Sequence, residues 1–243
     1  DFEPVKLADG VIATSTLVMI DAMPITMKDK YVRITPESQL ADINYLINSA
    51  DIRNSELKAD DIKLLQDYIK QVTADSSRKL KNAMVSSYAS PDGTFKLNEK
   101  LSGKRGTSAD KFIKKEFKTI PAAGGEGFFN ETTTAEDWDG FKSEVENSSI
   151  QDKDLILRVL SMYSDPDVRE KEIKNMSEAF EKLKTDVLPK LRRSKMLVNV
   201  DKIGRSDEQI LAQMKSDPKV LSMEEMLYSA TLTKDPNEKL TFY

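Results

Sequence analysis

The chain has 243 residues, 39% hydrophobic and 32% charged, with a net charge of −4 and a pI of about 5.2. That length buries a real core in one large domain or in one domain with appendages, and the acidic balance argues against nucleic acid, whose binders carry basic surfaces. Cysteine and histidine are both absent, which removes disulfides, Cys/His zinc sites, thiol nucleophiles and a histidine general base.

No apolar run approaches the ~18 residues of a membrane span. The apolar patch VIATSTLVMI (11–20) is broken by Thr14, Ser15 and Thr16 and has no basic leader, so it does not read as a signal peptide. The chain begins at Asp1 and stops at Tyr243 within a helical pattern, as a piece of a longer protein would. Residues 1–35 read as an extended or β lead-in, with strand-like pieces at 11–20 and 30–34.

From Asp42 the pattern is regular. DINYLIN (42–48) places Ile43, Tyr45 and Ile47 on one face of a strand. Ile62, Leu65, Ile69 and Val72 follow at helical spacing. KNAMVSSYAS (81–90) is a second strand that ends at a Ser-Pro-Asp-Gly turn. A helix is expected from about Asn98 to Phe117, then a glycine-rich loop, IPAAGGEGFF. Three helical segments come next. Thr134 with Asp137, and Ser149 with Asp152, resemble capping boxes, and Asp165-Pro166 reads as an N-cap with proline at the first helical position. The third segment keeps one stripe through Val168, Ile173, Met176, Phe180, Leu183 and Val187 as far as Pro189. SKMLVNVDKI (194–203) is a strand. The tail from Ser206 reads as two short helices and the start of a third.

The order β-α-β-α-(helical insert)-β predicts an α/β (α+β) layer with helices on one face of a small sheet. The expected domains are a lead-in at 1–35, a domain at 36–205 with a helical insert at about 124–188, and a helical tail at 206–243.

The stretch YASPDGTFKLNEKLSGKRG (88–106) concentrates the chemistry. On a helical wheel Leu101, Ala109, Phe112 and Ile113 form the inward stripe, and Arg105 falls within it, whereas Lys104, Lys111 and Lys115 project elsewhere. An arginine on a core-facing stripe must pair, reach an edge or serve a ligand. One reading pairs it internally with Asp92 to hold the loop; the other puts it in a cleft beside the turn.

The same stretch resembles the signature of OmpA-like peptidoglycan-binding domains, broadly T-D-x-x-G-x-x-x-x-N-x-x-L-S-x-x-R-A. Gly93, Asn98, Leu101, Ser102 and Arg105 agree in register, and Gly106 stands where the family has alanine. The likeness extends over roughly 40–203, including INYLINSADIRNSELKADD and the Arg-Arg strand LRRSKMLVNV (191–200). It implies a non-catalytic domain in which Arg105 holds the carboxylate of diaminopimelate in a peptidoglycan stem peptide. A guanidinium fork suits a carboxylate, and the family's aspartate meets the ligand's ammonium. Ser90 occupies that aspartate's position and Ala89 the threonine's. Replacing a charged partner by a hydroxyl costs about 1.5–3 kcal/mol, on the order of tenfold to a hundredfold in affinity. Asp92 is the nearest substitute.

The expected ligand residues are therefore Arg105, Ser90, Asp92 and Asn98. The alternative is a degenerate module that no longer binds peptidoglycan and serves as a protein-interaction scaffold. The tail, MEEMLYSATL followed by DPNEKLTFY, resembles the entry to a tetratricopeptide-type repeat, as in Bacteroidetes envelope proteins that join the two. The resemblance implies a periplasmic, outer-membrane-associated location, with other envelope proteins recruited through the tail. Neither cofactor nor metal is expected, nor nucleic acid, nor a membrane span in this chain.

Other features carry less. GGEG (124–127) lacks the GK[ST] of a phosphate loop. NET, NSS and NMS at 130, 147 and 175 match the glycosylation pattern by spacing alone. KLRRSK (190–195) reads as a solvated strand start, and Asp60/Asp61 and Glu224/Glu225 are adjacent in sequence, which puts each pair on different helix faces. Trp138, the only tryptophan, is either a core anchor of the insert or an aromatic contact beside the cleft.

Overall fold

The computed structural model describes residues 3–4 and 30–242, so the strand-like piece at 11–20 lies outside the described residues. The chain divides into two compact units. Val32–Arg205 form the larger; the smaller contains the described residues 3–4, 30–31 and 206–242.

The larger unit is built on four strands: β1 (Ile34–Asn44), β2 (Arg78–Tyr88), β3 (Phe129–Thr134) and β4 (Arg193–Ile203). Their order is β1-β4-β2-β3. Strand β4 runs antiparallel to both β1 and β2, and β3 is parallel to β2. The class is the mixed α/β arrangement expected. Helices α1 (Asp60–Ala74) and α2 (Phe95–Glu116) cover one face of the sheet. Alternation along the strands supplies that face: Ala41 and Ile43, Ala83 and Val85, and Met196, Val198 and Val200. Ile62, Leu65, Ile69 and Val72 of α1 close over it, at the spacing read from sequence. Each fully buried Leu or Ile here contributes about 1.5–3 kcal/mol.

The fold departs from expectation in several places. Strand β1 starts eight residues early and ends at Asn44, so Ile47 is not on its inner face but 60% exposed. The chain turns after Tyr45: the Ser49 N–H donates to the Leu46 carbonyl at 3.2 Å, and Asn48 takes φ 55°, a conformation asparagine tolerates. The insert is not wholly helical, because β3 forms within the range assigned to it. Phe129-Asn-Glu-Thr-Thr-Thr134 carries no apolar alternation; it becomes a strand by pairing with β2 across the α2 crossover that parallel pairing requires.

Five helices follow β3, not three: α3 (Trp138–Glu146), α4 (Lys153–Met162), α5 (Pro166–Asn175), α6 (Ser177–Asp186) and α7 (Leu188–Leu191). They bury a second core around Phe141, Ile156, Leu183, Leu188 and Leu191. The long stripe from 168 to 187 is split at Met176, whose ψ of 70° breaks the helix although no proline or glycine marks the place. The stripe survives the break because both pieces face the same core. Thr134 ends β3, and it is Asp137 that caps α3 by accepting from Gly140 N–H at 2.9 Å. Asp152 precedes α4 without a side-chain cap, whereas Asp165 caps α5 as read. Trp138 packs edge-on against Phe141 at 5.6 Å and anchors the insert.

In the smaller unit α8 (Asp207–Ser216), α9 (Met223–Leu232) and α10 (Pro236–Phe242) follow one another. Capping boxes at Ser206/Gln209 and Ser222/Glu225 start the first two. Tyr31 stacks on Tyr228 with ring centroids 4.4 Å apart.

Candidate ligand site

The Ser-Pro-Asp-Gly loop leaves β2 at Tyr88 and stays close to the sheet, because Ala89 N–H donates to the Thr134 carbonyl at 3.2 Å. Asn98, buried in the first turn of α2, closes the loop by donating from Nδ2 to the Gly93 carbonyl at 3.0 Å. A Cβ at Gly93 would lie 3.1 Å from Asn98 Oδ1, so the two residues work as a pair. Asn98 holds the loop through one of its two amide N–H donors.

Arg105 comes off α2 two turns later and is 1% exposed. Its guanidinium donates to three backbone carbonyls: Nε to Ser49 at 3.0 Å, Nη1 to Tyr88 at 2.9 Å and Nη2 to Leu46 at 3.3 Å. The turn that expels Ile47 therefore aims two carbonyls at the arginine. The Tyr45 ring lies beneath the guanidinium, 5.2 Å from its centroid, an added cation–π attraction. The expected pair with Asp92 is not formed, and no carboxylate within ion-pair distance faces Arg105 among the described residues. Burial pulls its pKa down to about 10, so the side chain is still cationic at neutral pH. Of the five N–H donors of a guanidinium, these three bonds leave two unmatched among the described residues.

Ser90 and Asp92 belong to another arginine. Arg192 donates from Nε to Ser90 Oγ at 3.1 Å and from Nη2 to Asp92 Oδ2 at 2.9 Å. Ser90 Oγ in turn donates to Asp92 Oδ1 at 2.5 Å. Its neighbour Arg193 is paired with Asp137 at 3.0 Å, both being more than nine-tenths buried, and lies over the Tyr88 ring at 5.2 Å. The basic stretch at 190–195 is thus not a solvated strand start: two of its arginines are interior. One signal pointed there. Adjacent residues of a strand face opposite ways, so an Arg-Arg pair at the start of a half-buried strand must put one of them inward.

Beneath the site, Tyr45 Oη donates to the Arg105 carbonyl at 3.2 Å and shares a hydrogen bond with Ser194 Oγ at 3.0 Å, which contacts Ser87 Oγ at 2.6 Å. These hydroxyls fasten α2 to β1, β2 and β4. Burial raises the Tyr45 pKa, which keeps the phenol a neutral donor. The strand periodicity put Tyr45 on an inner face, but it marked none of Tyr45, Ser87 and Ser194 as a polar anchor, since inward positions are normally apolar.

Two concavities adjoin the site. Pro91 and Asp92, with Trp138, Phe141 and Leu188, border a pocket of about 10 Å³, room for a single water. An open groove of about 450 Å³ runs on the other side, bordered by Tyr45, Leu46, Ile47, Arg53, Lys190 and Arg192. Two of the residues bordering it, Tyr45 and Leu46, also contact Arg105. The chain matches no protein-family model and no curated protein sequence.

Proposed function

We propose that the unit spanning Val32–Arg205 is a non-catalytic binding module for a carboxylate-bearing ligand, and that this ligand is the peptidoglycan stem peptide. One observation carries the reading: among the described residues no carboxylate stands within ion-pair distance of the buried Arg105 cation. Taking a charge out of water costs several kcal/mol unless a counter-charge offsets it, and carbonyl dipoles offset it only partly. A ligand carboxylate, entering from the groove beside Leu46, supplies the missing charge and takes the unmatched N–H donors. Ser90 and Asp92 are the acceptors for an ammonium group on the same ligand, as diaminopimelate requires. The register of Gly93, Asn98, Leu101, Ser102 and Arg105 supports that choice. Binding at a single site need not be tight, because the wall presents many copies. On this reading the module works in the cell envelope, outer-membrane-associated, and the helices from Asp207 onward engage other envelope proteins.

Titration of a diaminopimelate-containing tripeptide tests the assignment. Arg105→Met should lower affinity about tenfold to a hundredfold, with folding verified by circular dichroism. Equal affinity for wild type and variant overturns it.

A second reading, the protein-interaction scaffold, is favoured by Arg192. This side chain occupies both acceptors with which an ammonium would pair, closing half of the site internally. Absence of tripeptide binding in wild type and in Arg192→Gln alike would leave the scaffold standing.

A further inference from the structure

The face of α2 opposite Arg105 holds a feature that the ligand site does not use. Lys96, Lys100, Lys104, Lys111 and Lys115 are all exposed, as is Lys118 just past the helix end. At 100° per residue the five helical ones fall within about 100° of arc, along a helix about 33 Å long. No aspartate or glutamate lies on that arc. The acids of α2 lie off the arc: Asp110, beside it, pairs at 2.7 Å with Lys114, a lysine at the arc's edge that is thereby neutralised, Glu116 accepts from Gln66 at 3.1 Å, and Glu99 is on the flank. None of the six lysines has an ion pair among the described residues, whereas lysines of α1 and of the insert do, as at Lys63–Asp60, Lys70–Asp67 and Lys184–Glu181. On a chain of net charge −4, an acid-free row of this kind concentrates positive potential on one side. Like charges at i,i+4 destabilise an isolated helix by a few tenths of a kcal/mol per pair, so the row is held at a cost.

We propose that this row is an adsorption surface for a membrane of anionic, phosphate-bearing lipid headgroups. Three observations select that partner. The row contains lysines and no arginine: dispersed point charges suit a diffuse anionic plane, whereas bidentate recognition of a fixed phosphate calls for arginine. It contains no aromatic residue, so it offers no stacking platform for single-stranded nucleic acid. Five of the six lysines stand along one side of a single 22-residue helix, a side that a bilayer meets at once. A flexible polyanion would first have to be straightened over the same length, losing conformational entropy. The buried face of α2 remains in the core, so contact is by adsorption alone, with exposed Leu97 at the loop end of the row. The inference is independent of the carboxylate site, since it rests on the other face of the helix.

The test is co-sedimentation of the whole chain with vesicles of phosphatidylglycerol mixed into phosphatidylcholine, at low salt, against pure phosphatidylcholine. Binding is expected only to the anionic vesicles and should fade as salt rises, because screening shortens the reach of each charge. Each lysine near an anionic surface is worth about fivefold in partitioning. The quadruple variant Lys100→Gln, Lys104→Gln, Lys111→Gln, Lys115→Gln should therefore bind several hundred times more weakly, on the order of 10²–10³. A matched control, Lys142→Gln, Lys171→Gln, Lys182→Gln, Lys184→Gln, removes the same charge from the insert and should bind as wild type. Should the quadruple variant misfold, the pair Lys104→Gln, Lys111→Gln still predicts about a 25-fold loss. Three outcomes overturn the proposal: equal binding to neutral vesicles, an equal loss in the insert control, or capture by poly-L-glutamate with no vesicle binding.

Discussion

The two sides of the candidate site bury arginine in opposite ways. On the β4 side, Arg192 and Arg193 each meet a carboxylate, Asp92 and Asp137, at 2.9 and 3.0 Å. On the α2 side, Arg105 is more deeply buried than either and, among the described residues, meets carbonyls and a tyrosine ring. The β4 side is electrically complete and acts as structure: it ties the Ser-Pro-Asp-Gly loop and the start of α3 to one strand. The α2 side holds a cation that no carboxylate meets within ion-pair distance among the described residues. Burial alone does not separate a structural arginine from a binding one. The identity of the acceptor does.

The sharpest way to break this comparison is to remove one arginine from each side. Arg193→Met leaves the buried Asp137 carboxylate without its cation and should destabilise by about 3–5 kcal/mol, read from the midpoint of urea unfolding. Arg105→Met strands no charge. It releases three carbonyls, of which Leu46 keeps the Ser49 N–H, and it relieves the desolvation that draws the arginine pKa down. Its cost should be smaller, about 1–3 kcal/mol. If Arg105→Met costs as much as Arg193→Met, the α2 arginine is as structural as its counterparts and the contrast fails.

The parts of this arrangement that could be read from sequence are those set by local periodicity. Helix α1 follows from Ile62, Leu65, Ile69 and Val72, because one helix face against one sheet leaves a regular imprint. Arg105 on the inward stripe of α2 was legible for the same reason. What was not legible depends on partners distant in sequence. Strand β3 has polar residues at nearly every position and is specified by β2, some fifty residues earlier. The pairing of Asp92 with Arg192 rather than Arg105 is decided by where β4 enters the sheet, 100 residues after the loop. The break at Met176 is invisible because a stripe continued across two helices looks like a stripe along one.

The smallest effect tests the joint between the two sides. Ser90 stands at the rim shared by loop and strand, accepting from Arg192 and donating to Asp92. Ser90→Ala removes both bonds while leaving the Arg192–Asp92 ion pair in place, so the loss in stability should be about 0.5–1.5 kcal/mol, again by urea midpoint. The same variant discriminates roles in binding. If the ligand ammonium is met by the Ser90 hydroxyl, tripeptide affinity falls along with stability. If affinity is unchanged while stability drops, Ser90 has passed from ligand contact to loop fastening and Asp92 carries the ammonium alone. An affinity that rises would mean that the Ser90 bonds hold the loop closed against the ligand, and that the β4 side, complete as it is, restrains the α2 side.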